Sequence, residues 1–140
     1  MNACRTFERR LESLAQIVEF TAAALCDRRV DAAPHQAIDF AIEELFTNMI
    51  KYSRSGANRV EITIDCGEAA IAVTLVDFDV EPFDVTAAPD ADVALPLPQR
   101  RPGGLGLHLV RRLVQGLSYE YRETTRESRI CFCVPSRRPN

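Results

Sequence analysis

The chain has 140 residues, 46% hydrophobic and 26% charged, which is enough for one globular domain with a buried core, and its formal charge is −3. That charge argues against a general nucleic-acid binder, and no apolar run approaches the length that crosses a bilayer. Lys51 is the only lysine and no G-x-x-x-x-G-K-[ST] run exists, which excludes a P-loop.

The opening MNACRTFERR carries charge where a signal peptide would need an apolar block, so the expected setting is the cytoplasm. The five cysteines, Cys4, Cys26, Cys66, Cys131 and Cys133, form no C-x-x-C pair and read as reduced thiols with no assigned chemistry. After a short extended segment around Ala3 to Phe7, the apolar spacing from Leu11 to Leu25 predicts an amphipathic helix. Asp31-Ala-Ala-Pro34 opens a second helix, with Pro34 suited to its first turn and Asp31 to a cap, and Ser53-Arg-Ser-Gly56 closes it. Val60, Ile62, Ile64 and Cys66 alternate with polar residues as a half-buried strand does. A turn at Gly67-Glu68 leads into a second strand, Ala70 to Asp77.

From Val80 to Pro102 the chain is rich in Pro, Asp and Ala and has no sustained period, which predicts a long functional loop. Gly103 to Gln115 reads as a glycine-rich entry into a helix with Leu107, Val110, Leu113 and Val114 inward. Leu117 to Tyr121 and Ile130 to Val134 predict two closing strands around a turn at Thr124 to Ser128. The order of elements gives an α+β, two-layer sandwich, with helices on one face of a mixed, largely antiparallel sheet.

Three constellations carry chemistry. Glu44 and Asn48, four residues apart on the second helix, stack a carboxylate and a carboxamide on one face. A carboxylate can take a proton from a nucleophile and an amide oxygen is a hard ligand for Mg²⁺, so the pair fits metal-assisted phosphoryl transfer as well as an ordinary solvated face. Asp77, at the end of an apolar strand, can accept a hydrogen bond from an exocyclic amine, or simply start a turn. In Arg101-Pro-Gly-Gly-Leu-Gly-Leu-His108, Gly103, Gly104 and Gly106 let the backbone approach a ligand, and the helix N-terminus offers N–H groups to phosphate; a hinge would use the same residues. His108 is given no role.

Taken in this order, E-x-x-x-N on a helix, D-x-x-x-x-P-F at a strand end, a long lid and then G-G-L-G-L-x-L-V, the chain from Asp39 to Val134 resembles the GHKL (histidine kinase-like) ATPase superfamily, whose Bergerat-type fold is shared by histidine kinases and gyrase. Pro82-Phe83-Asp84 and the compact length are most similar to the bacterial anti-sigma-factor serine/threonine kinases. The resemblance implies one ATPase domain over 1–140, with an ATP lid at about 80–104, and ATP and Mg²⁺ as cofactors. It implies Glu44 as the base that activates a partner's serine, with the adjacent Glu43 the first substitute. It also implies Asn48 as Mg²⁺ ligand, Asp77 as adenine-amine acceptor, and Gly104, Leu105, Gly106 and Leu107 as the lid segment at the phosphates. The implied partners are a sigma factor or similar regulator and an antagonist protein, with a homodimer plausible and no direct contact with nucleic acid or membrane. The alternative expectation is a non-catalytic partner-binding regulatory module of the same fold with weak or no nucleotide binding.

One position departs from the family pattern, which has glycine two residues after the aspartate where this chain has Asp79. A carboxylate there is expected either to obstruct the base pocket or to turn away toward Arg100 or Arg101.

Overall fold

The computed structural model describes residues 2–26, 30–52, 58–86 and 104–136. Within them run β1 (Asn2–Glu8), a 3₁₀ turn (Leu11–Ser13), α1 (Leu14–Cys26), α2 (Ala32–Tyr52), β2 (Arg59–Cys66), β3 (Ala70–Asp77), α3 (Gly104–Leu113), β4 (Gln115–Arg122) and β5 (Glu127–Pro135). The strands form one five-stranded sheet in the order β1-β2-β3-β5-β4. Every pairing among the described strands is antiparallel, so the expected α+β sandwich stands and the mixed pairing does not.

The period-2 pattern decides which face of the sheet is covered. Val60, Ile62 and Ile64 of β2, Ile71, Val73 and Leu75 of β3, and Ile130, Phe132 and Val134 of β5 are all buried in one core. Against them α2 sets Ile38, Ala41, Ile42, Leu45, Phe46 and Met49, the three- and four-residue spacing of a single helix stripe. Each of these side chains except that of Ala41 contributes about 1.5–3 kcal/mol on burial, and together they fix the rotation of α2 about its axis. That rotation decides where Glu44 and Asn48 point.

The opposite face carries small side chains. Cys4, Thr63, Thr74, Cys131 and Ser118 stand in one row across the strands, all at least partly exposed. Thr63 Oγ1 donates to Cys4 Sγ at 3.3 Å, and Thr74 Oγ1 lies 3.5 Å from Cys131 Sγ.

Two boundaries differ from expectation. α3 stops at Leu113 and β4 has begun by Gln115, and Gly116, the next residue, takes a left-handed conformation, φ +64°, at an irregularity in the β4–β5 register. Ser128, expected in a turn, is a buried strand residue of β5 directly opposite Asp77. Ser53 to Gly56 and residues 87–103, including Arg100, Arg101 and Gly103, lie outside the described residues.

Candidate nucleotide site

The site lies where α2, the end of β3, the start of β5 and the first turn of α3 converge. Asn48 is buried, and its amide nitrogen donates to the Glu44 backbone carbonyl at 2.8 Å. Thr47 Oγ1 donates to the same carbonyl at 3.1 Å. With the nitrogen committed to its own helix, the planar amide offers its oxygen as the atom for a ligand, the donor type that Mg²⁺ takes. The residue present therefore fits the metal in chemistry and orientation.

Asp77 is buried at the last position of β3 and pairs across the sheet with Val60 and Ser128. Leu45, Met49, Val85 and Ile130 wall the cleft in front of it, with Asn48, Ser128, Glu81 and Phe83 completing the lining. Apolar walls around one buried carboxylate and a hydroxyl suit a flat heteroaromatic base that presents an amine. Ser128 escaped the sequence reading because its pattern resembled a turn; only the β3–β5 register brings it to Asp77.

The base cleft is closed. Its cavity measures about 20 Å³, room for one water molecule and far less than a purine requires. The filler is the root of the predicted lid. Val85 is 2% exposed, and its carbonyl accepts from Arg111 Nη2 at 2.7 Å. The Phe83 N–H donates to the Tyr119 hydroxyl at 3.0 Å, and the Tyr121 hydroxyl donates to the Val80 carbonyl at 2.6 Å. Residues 80–86 are thus fastened to α3 and β4, with Val85 and Phe83 held against the cleft.

Glu44 is half-buried, and α3 covers it. A β-carbon built on Gly106 would overlap the Glu44 carboxylate, so a side chain at this position would require the end of Glu44 to swing aside. The carboxylate lies against the first turn of α3, the helix end that favours negative charge. Burial first, and then the neighbouring Glu43 carboxylate, push the Glu44 carboxyl above its ordinary value, against a smaller downward pull from Lys51. Gly104 and Leu105 open the same helix, and Leu107 is buried in the core beneath it. Of the predicted residues, Asn48 and Asp77 line one cleft, while Glu44 meets Gly106 at the start of α3 and neither lines that cleft.

Arg9 was not anticipated. It follows β1, its N–H donates to the Asn58 carbonyl at 3.0 Å, and its Nη1 lies 2.7 Å from Asp77 Oδ1. Asp79 also departs from expectation: it has φ +54°, is well exposed, and its Oδ1 lies 3.5 Å from Arg126 Nε. The left-handed backbone gives the physical reason for glycine at this position, and aspartate is among the residues that tolerate it. The carboxylate turns toward Arg126, away from the base cleft.

The family model for the histidine kinase-like ATPase domain matches residues 7–133, nearly the whole chain, and the protein belongs to that family. No curated protein matches it. Among solved structures it is similar to the Acinetobacter baumannii histidine kinase AdeS, at 17% identity and a TM-score of 0.48, with 97% of this chain and 68% of that one covered. No described helix is long and apolar enough to cross a membrane.

Proposed function

We propose that the protein is an ATP-dependent serine/threonine kinase of the anti-sigma-factor type. It would bind Mg-ATP, phosphorylate a serine of an antagonist protein, and hold a sigma factor or similar regulator in the cytoplasm. The observation that supports this reading is that Glu44 meets Gly106 at the start of α3 while Asn48, one turn further along α2, lines a cleft with Asp77; Glu44 would be the proton acceptor near the phosphates and Asp77 the amine acceptor at the base. Mg²⁺ held through Asn48 would neutralise charge on the transferred phosphoryl group. Glu44 would accept the proton of the attacking serine hydroxyl, and its raised proton affinity brings it nearer to the working pH of a general base. Asp77 and the apolar walls would orient the base, and the first turn of α3 would face the phosphates once it leaves Glu44.

The closed base cleft supports a second reading, a partner-binding module of the same fold with weak nucleotide binding. Glu44→Gln distinguishes the two. It keeps size and hydrogen bonding but cannot accept a proton at neutral pH, so phosphate incorporation into an antagonist serine should fall about 10²- to 10⁴-fold while nucleotide affinity and partner capture persist. A wild-type protein that captures its partner but transfers no phosphate supports the module. Transfer at the wild-type rate by Glu44→Gln would move the base role to Glu43.

A further inference from the structure

A second cleft opens between α1 and α2 and shares no lining residue with the nucleotide cleft. It measures about 180 Å³, slightly more than the roughly 150 Å³ apolar cavity known to take up a benzene ring. Leu14, Ile17, Val18 and Ile42 form its apolar walls, and Val18 is 53% exposed at its mouth. Thr21, another lining residue, is fully buried, and its hydroxyl has no hydrogen-bond partner among the described residues. A threonine in a helix would usually satisfy its hydroxyl on its own backbone. Here a polar atom is buried in an apolar wall and left for something else to satisfy.

The ionisable groups that line the cleft are both acids, Asp39 and Glu43, one turn apart on α2. His35 lies 3.3 Å from Asp39 on the side of the preceding turn, and Glu43 is exposed. A ligand's negative group would meet two carboxylates; a positive one would be attracted to both.

We infer that the α1–α2 cleft is a binding site for a small arylalkylamine, with its ring against Leu14, Ile17, Val18 and Ile42, its ammonium group at Asp39 and Glu43, and a ring hydroxyl, where present, paired with Thr21. The ring matches the cavity's size, the charge matches its rim, and the hydroxyl satisfies its unpaired group. This site stands independently of what the nucleotide cleft binds.

The test is an NMR titration of the full chain with four probes of one shape: tyramine, phenethylamine, 4-ethylphenol and 3-(4-hydroxyphenyl)propionate. Tyramine should shift the amides of Ile17, Val18, Thr21, Asp39 and Ile42, and removing its ammonium (4-ethylphenol) should weaken binding about tenfold. The propionate should not bind. Asp39→Asn should narrow the gap between tyramine and 4-ethylphenol, and Thr21→Val should erase the difference between tyramine and phenethylamine. Val18→Trp, at an exposed position that leaves the core intact, should block all probes. Absence of shifts with tyramine at millimolar concentration overturns the proposal. So does binding that is indifferent to probe charge, or shifts that survive Val18→Trp unchanged.

Discussion

Arg9 and Asp77, 68 residues apart in sequence, form a buried ion pair at 2.7 Å with side chains 4% and 2% exposed. Removing one partner of a buried pair leaves an uncompensated charge, at a cost of about 3–5 kcal/mol. Arg9→Met, which preserves the backbone bond to Asn58, should therefore lower unfolding free energy in urea by that amount. Adding Asp77→Asn should restore part of the loss, because the remaining buried group is then neutral. A loss below about 1 kcal/mol would match an exposed pair and show that the charge of Asp77 does not depend on Arg9.

Burial raises the folded-state proton affinity of Glu44 above its ordinary 4.5, and Asp39 is raised for the same leading reason. A carboxyl whose folded value lies above its unfolded one binds protons more readily in the fold, so its contribution to stability is full below the unfolded value and is lost as pH rises through the folded one. Wild-type stability should therefore decline as pH rises past the ordinary values of the two groups, 3.8 for Asp39 and 4.5 for Glu44. Glu44→Gln should flatten that decline, and at neutral pH it should be at least as stable as wild type. Thermal melts of both proteins from pH 4 to 8 check this; a steeper decline in the variant would contradict the burial of Glu44.

Asn48 holds the Glu44 carbonyl through its nitrogen, and in the proposed function its amide oxygen would hold Mg²⁺. Asn48→Ala should weaken ATP binding about tenfold or more in Mg²⁺ and much less in EDTA, by calorimetry in the two buffers. Equal loss in both would mean that the amide supports the helix and not the ion.

Asp79→Gly should leave nucleotide affinity unchanged, because the carboxylate already faces Arg126 at the surface. Its effect on stability should be small, since relief of the left-handed backbone is offset by the greater freedom of glycine in the unfolded chain. A gain in affinity would place the side chain in the base cleft when nucleotide is bound.

Much of the frame was legible because burial leaves a local period. β2 and β3 alternate cleanly, and α2 repeats apolar residues along one stripe, so Glu44, Asn48 and Asp77 could be placed before any coordinates. What stayed hidden depends on register and on distance along the chain. Ser128 becomes a site residue only through its place opposite Asp77. Arg9 looks like one more charge in an arginine-rich start. Val85 sits in a stretch without period, where a single apolar residue gives no sign that it plugs the cleft. The direction of Asp79 follows from one backbone dihedral, to which side-chain patterns are blind.

The long separation of Arg9 from Asp77 also orders events in time. A chain synthesised from its N-terminus makes β1 early, yet its hydrogen-bonding partner β2 begins at Arg59 and the carboxylate that neutralises Arg9 arrives last of the three strands. Such distant closures slow folding relative to contacts between neighbours. Until β2 emerges, α1 and α2 can pair with each other, but β1 has no edge to join, and Arg9 waits longer still, for the end of β3. Asp77 and its guanidinium brace come together only when the beginning of the chain docks on its middle.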